Sequence, residues 1–143
     1  MNSYKTLAAA TLAISMFTGT ALAQAGFDAG DALEALRAAG YAEVRDIEHD
    51  DGLWEAEVRG ADGRWHDVHV VPGSGEVLDR TTGTLLTAAE VSAAVEAAGY
   101  TGIHDLDLDD AVWDLEALSP EGQQVDLRVH GFSGEILVVE IDD

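Results

Sequence analysis

Ala38-Ala39-Gly40-Tyr41 and Ala97-Ala98-Gly99-Tyr100 are the same four residues written twice in one chain. Carried outward at the spacing from Gly40 to Gly99, the alignment runs without a gap from Phe27 and from Leu86. Trp54 then falls on Trp113, Glu57 on Glu116, Gly63 on Gly122 and Asp67 on Asp126, and Ser74-Gly75-Glu76 recurs as Ser133-Gly134-Glu135. Roughly a third of the aligned positions are identical, against about one in fifteen expected from average residue usage. The pattern is a tandem duplication, so the fold is one supersecondary unit used twice.

Each unit opens as a short helix. In the first, Asp28 is placed to cap, and Ala29, Ala32, Leu33 and Leu36 fall on one face. In the second, Thr87 and Glu90 make a capping-box pattern, with Val91, Ala94, Val95 and Ala98 as the apolar face. Gly40 and Gly99 end the helices, since glycine takes the left-handed conformation without a Cβ clash. Tyr41 and Tyr100 then fold back over the last helical turn.

Four strand-like segments follow each helix. Val44 and Ile47, matched by Ile103 and Leu106, mark the first, which ends at Asp50-Asp51-Gly52. The second alternates, with Trp54, Ala56 and Val58 on one side and Glu55, Glu57 and Arg59 on the other. In its copy, Trp113, Leu115 and Ala117 take the apolar side. Asp62-Gly63 is a hairpin signal. The third strand turns His66, Val68 and Val70 inward and Trp65, Asp67, His69 and Val71 outward, matched by an outer row of Gln124, Asp126, Arg128 and His130. Val77 and Leu78, matched by Ile136 and Leu137, form the last. The reading is an α+β fold of tandem α-β-β-β-β repeats, with one helix on the apolar face of each antiparallel sheet. The repeats are expected to join through one continuous sheet or through their helices.

Residues 1–23 read as a signal peptide: Lys5, an apolar run from Leu7 to Phe17, then Ala21-Leu22-Ala23 at the cleavage site. The run is too short to span a bilayer, so no stable membrane insertion is expected after cleavage. Repeat one is assigned to residues 24–82 and repeat two to 83–143, and the location to the periplasm or the exterior. There is no cysteine, which removes thiol chemistry and disulfides. With 28 acidic against 7 basic residues the formal charge is −21. Such a surface repels nucleic acid and anionic lipid and attracts a basic partner.

The ordered motifs resemble the PepSY family in its tandem, secreted form. They are the Ala-Ala-Gly-Tyr helix ends, Trp54-x-x-Glu57 with Trp113-x-x-Glu116, Asp62-Gly63 with Glu121-Gly122, and Ser74-Gly75-Glu76-Val77-Leu78 with Ser133-Gly134-Glu135-Ile136-Leu137. The chain departs from the family where an Asp precedes the turn Gly by four residues: Val71 and His130 stand there. It also has Ser74 and Ser133 where Thr is common. The resemblance implies a fold similar to the beta-lactamase-inhibitor protein. It also implies a noncatalytic role beside peptidases, as a propeptide-like modulator or inhibitor.

Asp105, Asp107, Asp109 and Glu116 have the EF-hand spacing, as do Asp46, Glu48, Asp50 and Glu57. The sixth position lacks the required Gly, and Leu106 and Leu108 alternate with the acids at strand period. Asp105, Asp107 and Asp109 are thus weak metal candidates, and the main expectation is no metal and no cofactor. His66 and His69 face opposite sides of a strand and cannot share an ion, and His66 reads as a partly buried, hydrogen-bonded imidazole. Ser74 and Ser133 sit in hairpin turns with no helix behind them, so neither is a nucleophile elbow. An enzyme is not expected. The expected activity is binding of a protein or peptide on the outward face. That face is Trp65, Asp67, His69, Glu55, Glu57 and Arg59, with Asp114, Glu116, Asp126, Arg128 and His130 in the second copy. The alternative is an acidic, cation-binding or cation-responsive envelope protein.

Overall fold

A computed structural model describes residues 26–142; the expected signal peptide lies outside the described residues. The first unit is α1 (Ala29–Ala38), β1 (Val44–Asp50), β2 (Leu53–Arg59), β3 (Trp65–Val70) and β4 (Val77–Leu78). A 3₁₀ turn at Arg80–Thr82 leads to α2 (Ala88–Ala97), β5 (Thr101–Asp109), β6 (Val112–Leu118), β7 (Gln124–His130) and β8 (Ile136–Ile141). The class is α+β, with a helix ahead of each four-stranded antiparallel meander.

The helix ends follow from their sequences. Asp28 accepts from the Asp31 amide at 3.0 Å while Asp31 accepts from the Asp28 amide at 2.9 Å. Thr87 and Glu90 make the same reciprocal pair. At the other end, Gly40 N–H reaches the Arg37 carbonyl and Tyr41 N–H the Leu36 carbonyl. Gly99 and Tyr100 repeat this on Glu96 and Val95. Both are Schellman closures, which satisfy carbonyls a helix would otherwise orphan.

Strand order is β1-β2-β3-β4 in one sheet and β5-β6-β7-β8 in the other. Ala32 and Leu36 of α1 pack on Ala56, Val58, Val68 and Val70. Val91 and Val95 of α2 pack on Leu115, Ala117, Val125, Leu127 and Val129. Each buried Val or Leu side chain contributes about 1.5–3 kcal/mol. Trp54 and Trp113 are half-buried at the margins of these cores. The Trp113 indole N–H also donates to the Leu86 carbonyl at 3.1 Å.

The repeats join differently from the expectation. The sheets are separate, and the two helices belong to different cores. A third core of Leu53, Leu78, Ala111 and Val112, flanked by Val71, Leu85, Phe132, Leu137 and Val138, lies between the units. Leu53, Val71 and Leu78 alternate with the helix-facing residues of the first sheet, as Val112 does in the second. The two sheets therefore meet through the faces turned away from their helices. The contact is reciprocal: Asp109 of β5 approaches His69 of β3, and the Asp50 carbonyl of β1 accepts from Arg128 of β7. Position for position this is a pseudo-twofold junction, as self-complementary patches make.

Candidate functional site

The outward faces divide into a buried seam and an open remainder. His69 is 0% exposed, and Arg128 and His130 are each 6% exposed. All three point away from the helices, as their strand positions require, but the other repeat covers them. Alternation tells which face a side chain takes and not what lies over that face.

Arg128 is fully engaged at the seam. It donates to Asp114 at 2.8 Å, to Asp109 at 3.1 Å and to the Asp50 carbonyl at 3.0 Å. The His130 Nδ1 accepts from the amides of Phe132 and Ser133, each at 3.1 Å. Its Nε2 therefore carries the proton and donates to Glu76 at 2.9 Å. At this position an imidazole nitrogen satisfies the turn amides.

The rest of the predicted row stays accessible. Trp65 is 36% exposed, and the Arg45 guanidinium lies 4.1 Å above its ring. Arg45 also donates to Glu57 at 2.6 Å, and Arg59 to Glu43 at 3.1 Å. Beside them Glu48, Glu55, Glu57 and Asp67 line a cleft of about 570 Å³. On the second sheet Asp105, Asp114, Glu116, Asp126, Arg128 and Glu140, with Asp51 from the β1–β2 turn, line one of about 290 Å³. Both clefts are carboxylate-walled. Burial, with Asp109, Asp67, Asp110 and Glu48 nearby, holds the Glu55 carboxyl above its usual range. Burial also raises Asp110 and, against the opposing pull of Arg128, Asp114. The Arg45 hydrogen bond lowers Glu57. Net negative charge is left over on these faces, which favours a cationic ligand.

Asp105, Asp107 and Asp109 lie on a strand paired with β6, not in a calcium loop. A bulge between His104 and Asp107, with Asp105 at φ +50°, breaks their line. Asp46 repeats it at φ +52° in β1. Ser74 and Ser133 accept the amides of Glu76 and Glu135 at 3.2 Å, as turn residues do.

Asp79 is not among the residues that the sequence pattern singles out. It is 3% exposed and accepts from the Tyr41 hydroxyl, from His66 Nε2 at 2.9 Å, and from the Thr81 amide at 2.8 Å and hydroxyl at 2.7 Å. Burial alone would raise its pKa; the Tyr41, His66 and Thr81 hydrogen bonds outweigh it and bring it down to about 2. The Asp-x-Thr spacing signals the local turn. Nothing in the sequence signals the partnership with Tyr41 and His66.

The PepSY family described as peptidase propeptide and YPEB domain matches residues 6–81, just over half of the chain. The chain belongs to this family. The second unit lies beyond the matched span and carries the pattern through its likeness to the first. No curated protein and no solved structure matches the chain, so the comparison with the beta-lactamase-inhibitor protein rests on the sequence pattern alone. Among the described residues no helix is long and apolar enough to cross a membrane.

Proposed function

We propose that this PepSY protein is exported and acts without catalysis, holding a basic segment of another protein on its acidic sheet faces. The family description makes an exported peptidase the first partner to consider, modulated in the manner of a propeptide or inhibitor. The observation that carries the reading is the charge imbalance of the clefts. Arg45, Arg59 and Arg128, which share these faces, are already paired with Glu57, Glu43, Asp109 and Asp114. The carboxylates of Glu48, Glu55 and Asp67, and that of Asp126, exceed them. Trp65 adds an exposed aromatic anchor at the edge of the same surface. The leader expected at residues 1–23 supports export.

The test is binding of a Lys/Arg-rich peptide and its Glu-rich counterpart, followed by titration calorimetry. The basic peptide is expected to bind, and to bind more weakly as salt rises. Asp67→Lys is expected to weaken it about tenfold or more, and Trp65→Ala to cost about 1–2 kcal/mol. Equal affinity for the two peptides, or indifference to Asp67→Lys, refutes the acidic face as the contact.

A further inference from the structure

His69 is wholly buried, yet neither ring nitrogen has a hydrogen-bond partner among the described residues. Leaving a buried polar group unpaired costs about 1–3 kcal/mol, and such a group in a folded protein calls for a cause. The duplication provides an internal comparison. Arg128 occupies the equivalent position in the second repeat, and Asp114 is the equivalent of Glu55. There the long guanidinium spans the seam and satisfies itself on Asp114, Asp109 and Asp50. The first repeat keeps the carboxylate and sets a shorter imidazole beside it.

The distances around that imidazole suit an ion better than a proton. His69 Nε2 stands 3.4 Å from Asp109 Oδ2 and 3.8 Å from Glu55 Oε2. The three donor atoms lie within 4.8 Å of one another. A charge-assisted N–H···O bond measures about 2.7–2.9 Å. Two ligands of a tetrahedral Zn²⁺, each bonded at about 2.0–2.2 Å, stand about 3.3–3.5 Å apart.

We propose that Glu55, His69 and Asp109 form a binding site for a divalent transition-metal ion of the Zn²⁺ class, which ties the two repeats together across their seam. One imidazole nitrogen and two carboxylates suit such an ion. Glu55 and Asp109 remain 28% and 43% exposed, so one side is open to water or to a donor from a bound partner. Arg128 shares Asp109 Oδ2 at 3.1 Å and would orient that carboxylate behind the ion. Burial lowers the His69 pKa and favours the neutral ring that ligates metal. The crowding of Asp109, Asp67, Asp110 and Glu48 about Glu55 is the repulsion a cation relieves.

A second trio, His104, Asp105 and Glu116, also converges. His104 Nε2 already lies 2.9 Å from Glu116. In the first repeat its counterpart is Arg45, 2.6 Å from Glu57, and arginine does not ligate metal. That trio is an ion pair in both copies and serves as the control.

The experiment is a calorimetric titration of the chelator-treated protein with zinc chloride, with melting temperature read in parallel. One ion per chain is expected, with a melting temperature higher by roughly 10 °C at saturation. Glu55→Gln and Asp109→Asn are each expected to weaken zinc at least about tenfold, and His104→Ala to leave it unchanged. Glu55 is part-exposed, so its variant stays interpretable if a His69 variant fails to fold. Tetrahedral visible bands from bound Co²⁺, lost in Glu55→Gln, would identify the same site. Zinc binding weaker than about 100 µM, binding that survives Glu55→Gln, or binding lost in His104→Ala overturns the proposal.

Discussion

Asp79 shows how one side chain fixes a local arrangement. Its carboxylate ties the connection after α1 (Tyr41), the start of β3 (His66) and the inter-repeat turn (Thr81) to one point. Asp79→Ala leaves those donors facing a buried void and is expected to cost about 3 kcal/mol in chemical denaturation. The carboxyl is depressed in the folded chain, so its contribution is complete above the ordinary 3.8 and disappears as pH falls toward about 2. Glu55, Asp110 and Asp114 have the opposite sign, because folding raises them and charging them works against the fold. Melting temperature is therefore expected to fall on the acid side as Asp79 protonates, while above the ordinary carboxylate range the raised carboxyls and the buried His69, whose lowered pKa favours higher pH, act against each other. In Asp79→Asn the acid-side limb should flatten. Gly40 is a backbone case. Its φ is +102° and an added Cβ meets nothing within 4 Å, so Gly40→Ala costs conformational energy alone, about 1–2 kcal/mol.

Among the elements, the helices and strands were legible because each has its own period. Caps at Asp28 and Thr87, terminators at Gly40 and Gly99, and the alternation through Trp54, Ala56 and Val58 all act within a few residues. The bulges at Asp46 and Asp105 were not legible, since a left-handed Asp inside a strand has no pattern of its own. One element contact sets a strict limit. A Cβ on Gly131 would sit 2.3 Å from the Ala111 carbonyl oxygen, to which the Gly131 amide donates at 2.8 Å. Gly131→Ala must push the end of β7 from the β5–β6 turn, and is expected to destabilise by about 1–3 kcal/mol. The aligned residue of the first repeat is Pro72, which has no amide to donate, so this contact belongs to the second repeat alone.

At the scale of the whole molecule the charges repel one another, with 28 acidic against 7 basic residues. Raising sodium chloride from about 10 mM to about 150 mM shortens the screening length from about 30 Å to about 8 Å. The melting temperature is expected to rise by about 5 °C over that range, with Arg128 and Asp114 at the seam changing least. A fall would mean that the arginine pairs outweigh the repulsion. The seam also decides what the chain can offer a partner. By covering Arg128 it withdraws one guanidinium from the outer rows, while Arg59 and Asp126 stay exposed and Glu55, Glu57, Asp67, Asp114 and Glu116 stay half-exposed.

Local pattern alone carries the duplication, the α-β-β-β-β order, the helix ends and the sides on which Trp54, His66 and Trp65 lie. Those features depend on chain-local geometry and short-range hydrogen bonds, which repeat wherever the residues repeat. Packing in three dimensions sets the rest: the sheets meet through their helix-free faces, Asp79 gathers Tyr41 and His66, and Asp109 reaches His69 from the other repeat. Each of these joins residues far apart in the chain whose side-chain types are compatible with many partners, so the pairing is chosen by how two preformed surfaces fit.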